Sequence, residues 1–254
     1  MRLARQNGVT VLLDGQGGDE NLLGYHHYYA RRLFSHLRHG RFISGFSDFR
    51  NAHKHLVIST KGLLSLGLYS SRPWVQTLYR RRRVCTLLSR RMHLSHDRLA
   101  ISSDNGWRAR QILQQPLPNL LRYEDRNSMA FGIETRLPML DYRVVEFCQS
   151  LPDNYFLREG WTKWLLRKAF ERVLPHEICY RKAKIGFEAP LDSIWQNHSN
   201  RIRSLLYENT SDIDRIINKR VLEQVAINPS RWPAYTWWLL NLKVWARIYR
   251  VTLA

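Results

Sequence analysis

Apolar residues along this chain fall into two kinds of run. Val9 to Leu13 (VTVLL) is a short, β-branched run between Gly8 and Gly15, the pattern of a strand buried on both faces of a parallel sheet. From Asp19 to about Arg38, Leu22, Leu23, Tyr25, Tyr29 and Leu33 recur at helical spacing, so a Gly-rich turn joins the strand to a helix N-terminus. Between about His39 and Gln115 the runs LLSLGLY, WVQTLY and CTLLSRRM predict two or three helices, with turn signals at Ser71 to Pro73 and Ser102 to Gly106. Past Pro116 and Pro118 the pattern predicts a helix, a loop at Pro138 and a second helix from about Tyr142. A further helix is predicted from Thr162 to Val173, stopped by Pro175. The closing segment PAYTWWLLNLKVWARIY reads as a helix buried by Trp237, Trp238, Leu240, Leu242 and Trp245. Without a repeat or a low-complexity linker, the expectation is one compact unit.

A parallel sheet needs several strands joined by crossovers, and only residues 9–13 read persuasively as one. The preceding RLARQN resembles the last turns of a helix too short to be stable by itself. The expectation is a chain that begins inside a helix–strand unit.

Composition narrows the picture. The 254 residues are 44% hydrophobic, enough for a packed core. Cys85, Cys148 and Cys179 fit neither a disulfide framework nor a zinc spacing, which points to a reducing compartment. No run approaches the roughly 20 apolar residues of a membrane span, and MRLARQNGVT lacks a secretion signal's apolar core. The expected location is cytoplasmic, with no membrane partner. Forty Lys and Arg against 21 Asp and Glu give +19, which favours polyanions in general. The cationic clusters are scattered, so no specific nucleic-acid surface can be read from them.

The richest stretch chemically is LLDGQGGDENLLGYHHY, residues 12–28. Gly15, Gly17 and Gly18 allow a sharp turn and close approach of backbone to a ligand, and the helix start favours an anion. The plainer alternative is a Gly-rich strand–helix turn capped by Asp19. His26-His27, His36/His39 and His93/His96 carry no metalloprotease pattern and are assigned to packing or surface.

DGQGGDENLLGY resembles the Ser/Asp-Gly-x-Gly-Ser/Gly-Asp-Glu-x-x-x-Gly-Tyr segment of the asparagine synthetase family. YEDRNSMAFGIETRLPMLDYRVVEF is similar to that family's second long motif, YRKAKIGFEAPL to its Arg-x-x-Lys-x-Gly-Phe-x-x-Pro motif, and WWLLNLKVWAR to its closing helix. The resemblance spans nearly the whole chain. It implies a mainly helical fold with one short parallel-type strand, the C-terminal portion of an α/β adenine-nucleotide-binding domain of the ATP pyrophosphatase-like type.

The resemblance also implies an ATP- and Mg²⁺-using ligase in which the aspartate side-chain carboxylate is adenylated and ammonia from glutamine displaces AMP. Asp19 falls where a Mg²⁺-binding acid lies, its alternative being a helix cap. Gly15, Gly17, Gly18 and Lys184 fall in the nucleotide and pyrophosphate region, with Lys184 neutralising phosphate or the tetrahedral intermediate. Gln16 stands where some relatives carry Glu or Tyr, and a glutamine positions rather than accepts a proton. Glu124 and Asp125 are further acid–base candidates. Glu134 and Arg136 fall beside the substrate pocket, the alternative being a structural ion pair.

The family's Ser-Gly-Gly-x-Asp-Ser pyrophosphate loop is not among these residues, and Arg2 follows Met1 where a glutaminase has its cysteine. The expectation is a partial synthetase domain over residues 1–254, with little or no activity alone and the missing half supplied in cis or in trans. A homodimer is a further possibility. Two readings of other classes stand beside it: a basic, helical nucleic-acid-binding protein resting on the +19 charge, and a catalytically silent scaffold of the same fold.

Overall fold

The computed structural model describes residues 1–56, 58–71, 73–88, 106–114, 116–183, 186, 190–208 and 212–252. The chain divides into two compact units, Met1–Pro73 with Leu99–Lys184, and Trp74–Arg98 with Ile185–Ala254. The sequence reading expected one compact unit; the contacts fall into two. Each unit has its own apolar core, and the first division, after Pro73, falls at the turn signal of Ser71 to Pro73.

The first unit opens with α1 (Arg2–Gln6), β1 (Val11–Leu13), α2 (Gly18–Asn21), α3 (His26–Arg38), α4 (Phe42–His55) and α5 (Thr60–Ser71). After α6 (Pro73–Leu87), which belongs to the second unit, it continues with α7 (Trp107–Leu113), α8 (Leu117–Met129) and β2 (Glu134–Arg136). A 3₁₀ turn (Pro138–Leu140), α9 (Tyr142–Ser150), α10 (Trp164–Phe170) and α11 (His176–Cys179) complete it.

The helix expected from Asp19 to about Arg38 is broken in two. Leu23 sits at φ 54°, a left-handed conformation that ends α2 and redirects the chain through Gly24 into α3. α3 then buries Tyr28, Tyr29, Ala30 and Leu33 along one face. Leu23, Tyr29, Phe156 and Leu157 are fully buried, each stabilising the fold by roughly 1.5–3 kcal/mol. The Tyr29 hydroxyl accepts a hydrogen bond from the Gly160 amide at 3.0 Å. Gly160 is at φ 85°, and any Cβ there would overlap the Asn51 carbonyl, so only glycine fits.

Arg108 of α7 is buried and donates to the carbonyls of Cys148 (2.6 Å) and Leu151 (2.7 Å), satisfying the C-terminal end of α9. Its guanidinium also lies 4.6 Å from the Phe156 ring centre.

β1 pairs in parallel with β2, Val11 with Glu134, Leu12 with Thr135 and Leu13 with Arg136. The single strand of the sequence reading is therefore a two-stranded parallel sheet. Nor is β1 buried on both faces: Val11 is 37% and Leu13 74% exposed.

The second unit holds α6 with α12 (Leu191–Asn197), α13 (Ser199–Tyr207), α14 (Lys219–Ile227) and α15 (Pro233–Ile248). Its core gathers Trp195, Leu206, Ile213, Val225, Leu239 and Ala246. The closing helix is present, but its tryptophans do not bury it. Trp237, Trp238 and Trp245 are exposed, while Thr236, Leu239, Lys243 and Ala246 face inward. Lys243 Nζ donates to the Leu206 carbonyl at 2.6 Å and pairs with Asp214 at 2.7 Å, which makes burial of a lysine tolerable.

Candidate functional site

Hydrogen bonding fixes the loop after β1 at both ends. The Asp14 amide donates to the Arg136 carbonyl at 3.0 Å, extending the ladder one residue past the strand. The Asp14 carboxylate then accepts from the Gln16 amide at 3.0 Å, an Asx-type turn that starts the Gly-rich bend. Gly17, at φ 84°, is the N-cap of α2. Asp19 therefore lies in the first turn of α2 and does not cap it, contrary to the sequence reading.

The three glycines differ in what they face. A Cβ on Gly17 would overlap the Leu140 side chain, and one on Gly18 would meet Met139 at 3.5 Å. The Asn21 side chain donates to the Met139 carbonyl at 2.5 Å, fastening the 138–140 turn onto the bend. Gly15 has open space around its Cα, so it is the glycine at which a ligand can approach backbone.

Asp19 Oδ1 is 2.7 Å from Lys163 Nζ. Lys163 holds a left-handed conformation (φ 55°) as the N-cap of α10, so the helix expected from Thr162 begins at Trp164. The pair packs against Gly24, where a Cβ would overlap both Asp19 Oδ1 and Lys163 Cε.

Around this pair opens a cleft of about 240 Å³ whose lining includes Asp19, Lys163, Arg167, Arg181, Lys182 and Trp161. His55, also on the wall, stacks on Trp161 at 4.1 Å. Its imidazole is held below its ordinary pKa by burial first, then by Lys182, Lys54 and Arg167. Arg167 lies 4.6 Å from the Trp161 ring centre and donates to the Thr162 carbonyl at 2.9 Å. One carboxylate among so many cations makes the cleft chemically suited to an anion.

Glu124 of α8 is buried, and among the described residues neither carboxylate oxygen meets a hydrogen-bond donor in bonding geometry. Burial, then the Asp14 carboxyl, pushes its pKa up to about 7, with the Gln16 side chain acting in the opposite direction. Gln16 and Glu124, 108 positions apart in sequence, are thus joined in one polar group with Asp14. Asp125, the next residue, is exposed on α8.

Glu134 and Arg136 project from the same face of β2 and pair with each other at 2.7 Å, both exposed. That is the ion-pair arrangement held open beside the substrate role. Lys184 lies outside the described residues, as do His93 and His96. Sequence reasoning missed Lys163 and Asp14. No local pattern marks Lys163, whose partner is 144 positions away, whereas Asp14, directly before the Gly-rich bend, was within reach.

No group of three His, Cys, Asp or Glu able to hold a metal occurs among the described residues. Asp19 is one carboxylate already paired with a lysine, so these residues do not form a protein-only metal cage.

A Gly-rich strand–helix bend, a cation-lined cleft and a buried carboxyl all belong to the first unit. The family profile described as "Asparagine synthase" matches residues 1–247, and the chain belongs to that family. It is 30% identical over 133 residues to glutamine-hydrolysing asparagine synthetase 1 of Bacillus subtilis strain 168, covering 51% of this chain and 21% of that protein. The glutamine-hydrolysing asparagine synthetase 3 of the same organism is 28% identical over 109 residues, covering 43% and 18%. The Gallus gallus enzyme is 30% identical over 110 residues, covering 42% and 19%. The matched part spans about a fifth of the length of these relatives. No solved structure matches the chain at a significant level. No helix among the described residues is long and apolar enough to cross a membrane.

Proposed function

We propose that this chain is the C-terminal part of the ATP pyrophosphatase-like synthetase domain of a cytoplasmic asparagine synthetase. The aspartate side-chain carboxylate attacks the α-phosphorus of ATP, forming a C–O–P linkage while pyrophosphate leaves. Ammonia derived from glutamine then attacks the acyl carbon, the nitrogen loses a proton, and AMP departs to leave asparagine. The pyrophosphate loop and the glutaminase lie outside these 254 residues, on the same polypeptide or on a partner chain.

The observation that supports this reading most is the asparagine synthase match over residues 1–247, within which the Gly-rich bend and the buried Glu124 carboxyl both lie. A carboxyl with pKa near the operating pH serves as acceptor for the ammonia proton and donor to a leaving oxygen. Gln16 orients substrate through its amide, and Gly15 gives nucleotide access to backbone. Lys163 and Lys184 neutralise phosphate charge. Asp19, now paired with Lys163, would be the protein ligand to a Mg²⁺ carried on ATP, which would supply further neutralisation of phosphate charge.

The test is a comparison of Glu124→Gln with the unmodified protein in the holoenzyme containing the pyrophosphate loop. Aspartate-dependent exchange of pyrophosphate into ATP should persist while asparagine formation falls by roughly 10²-fold or more. Equal loss of both steps contradicts the assigned role.

A further inference from the structure

α3 and α4 form a helical hairpin whose tip is apolar and, among the described residues, uncovered. Leu37, in the last turn of α3, is half exposed, and Phe42, Ile43 and Phe46 at the start of α4 are 66%, 89% and 70% exposed. A cluster of large apolar side chains in water marks a contact surface, since isolated ones are ordinary but gathered ones are not.

The charge around the tip has one sign. Between Glu20 and Asp97 the only acidic residue is Asp48. Its carboxylate is held inside the hairpin by Arg32 at 2.7 Å and His36 at 3.0 Å. Arg41 sits at the N-cap of α4, and Arg50 and Lys54 are exposed further along the same helix. Nothing acidic on this hairpin is left to oppose them.

We infer that the hairpin tip is a docking site for an anionic lipid surface. Phe42, Ile43 and Phe46 enter the headgroup boundary, and Arg41, Arg50 and Lys54 meet lipid phosphates; apolar insertion flanked by cations is the logic of interfacial helices. Ile43, the most exposed of the three, favours this occupant over nucleic acid, because an aliphatic side chain gains by leaving water yet offers no surface for base stacking. A second copy is disfavoured, since two-fold pairing would bring Arg41 and its neighbours onto their own counterparts without a neutralising acid. The contact lies on the membrane and does not span it, and it departs from the expectation of no membrane partner. It stands independently of the amide-forming reading.

The test is co-sedimentation of the full chain with vesicles of phosphatidylcholine, with and without phosphatidylglycerol, at physiological ionic strength. Binding is expected only with phosphatidylglycerol, and the triple variant Phe42→Ser/Ile43→Ser/Phe46→Ser should partition at least about tenfold more weakly. These positions are exposed, so circular dichroism of the variant should match the parent. Equal binding by parent and variant, or no binding by the parent, overturns the inference. So does a concentration-dependent dimer that the triple variant abolishes, or a tip-dependent affinity found only for a random oligonucleotide.

Discussion

Lys163 Nζ lies 2.7 Å from Asp19 Oδ1, and the pair rests on the bare backbone of Gly24. The acid in the first turn of α2 is thereby tied to the N-terminus of α10. Both side chains are partly exposed, so the link contributes at most about 1 kcal/mol to stability. Its importance lies in what it aims into the cleft.

Lys163→Met should therefore leave thermal stability nearly unchanged, within about 1 kcal/mol, and weaken ATP binding by roughly tenfold. Calorimetric titration with ATP beside a thermal melt separates the two effects. A large fall in stability with intact nucleotide affinity would assign the lysine to structure.

Gly24→Ala and Gly17→Ala should differ in kind. At Gly24 the displaced atoms belong to movable side chains, so the change disrupts the Asp19–Lys163 pair at a modest cost of about 1 kcal/mol. At Gly17 the new Cβ meets Leu140 and the backbone is at φ 84°, and the loss should reach about 2–3 kcal/mol. Urea denaturation of the two variants checks the order.

Glu124 predicts a specific pH dependence. Its folded pKa, pushed up to about 7, exceeds the 4.5 of an unperturbed glutamate, so the folded state holds the proton more tightly than the unfolded one. The associated stability is fully present below about pH 4.5 and is lost as pH rises through about 7. Relative to Glu124→Gln, the unmodified protein should lose about 1–3 kcal/mol across that window. Parallel stability curves for the two proteins would show that Glu124 titrates normally.

Lys243→Met tests the second unit. Removing the ammonium takes the buried charge from between the Asp214 carboxylate and the Leu206 carbonyl, at a cost of roughly 1–3 kcal/mol. Denaturant unfolding of the variant measures it. A neutral result would mean that water replaces the ammonium.

The Gly-rich bend was legible because glycine needs are local: Gly17 announces its left-handed backbone, and Gly15 its open approach. α9 was legible from Pro138 and the apolar spacing after Tyr142. β2 was not, because Glu-Thr-Arg has no apolar alternation and becomes a strand only by pairing with Val11–Leu13. The break at Leu23 was hidden for a similar reason, since its left-handed backbone is imposed by packing and leucine gives no turn signal. On α15 the tryptophans looked like core, but geometry buried Lys243 instead, because Asp214 and a carbonyl were waiting for it. Glu124 was a weak candidate by motif, and its raised pKa comes from burial first and then from Asp14, far away in sequence.

The most direct measurement is aspartate-dependent asparagine formation by the holoenzyme that contains this chain, unmodified and with Glu124→Gln, alongside pyrophosphate exchange. The account predicts exchange in both proteins and asparagine formation roughly 10²-fold or more slower with Glu124→Gln; asparagine made equally well by Glu124→Gln would contradict it.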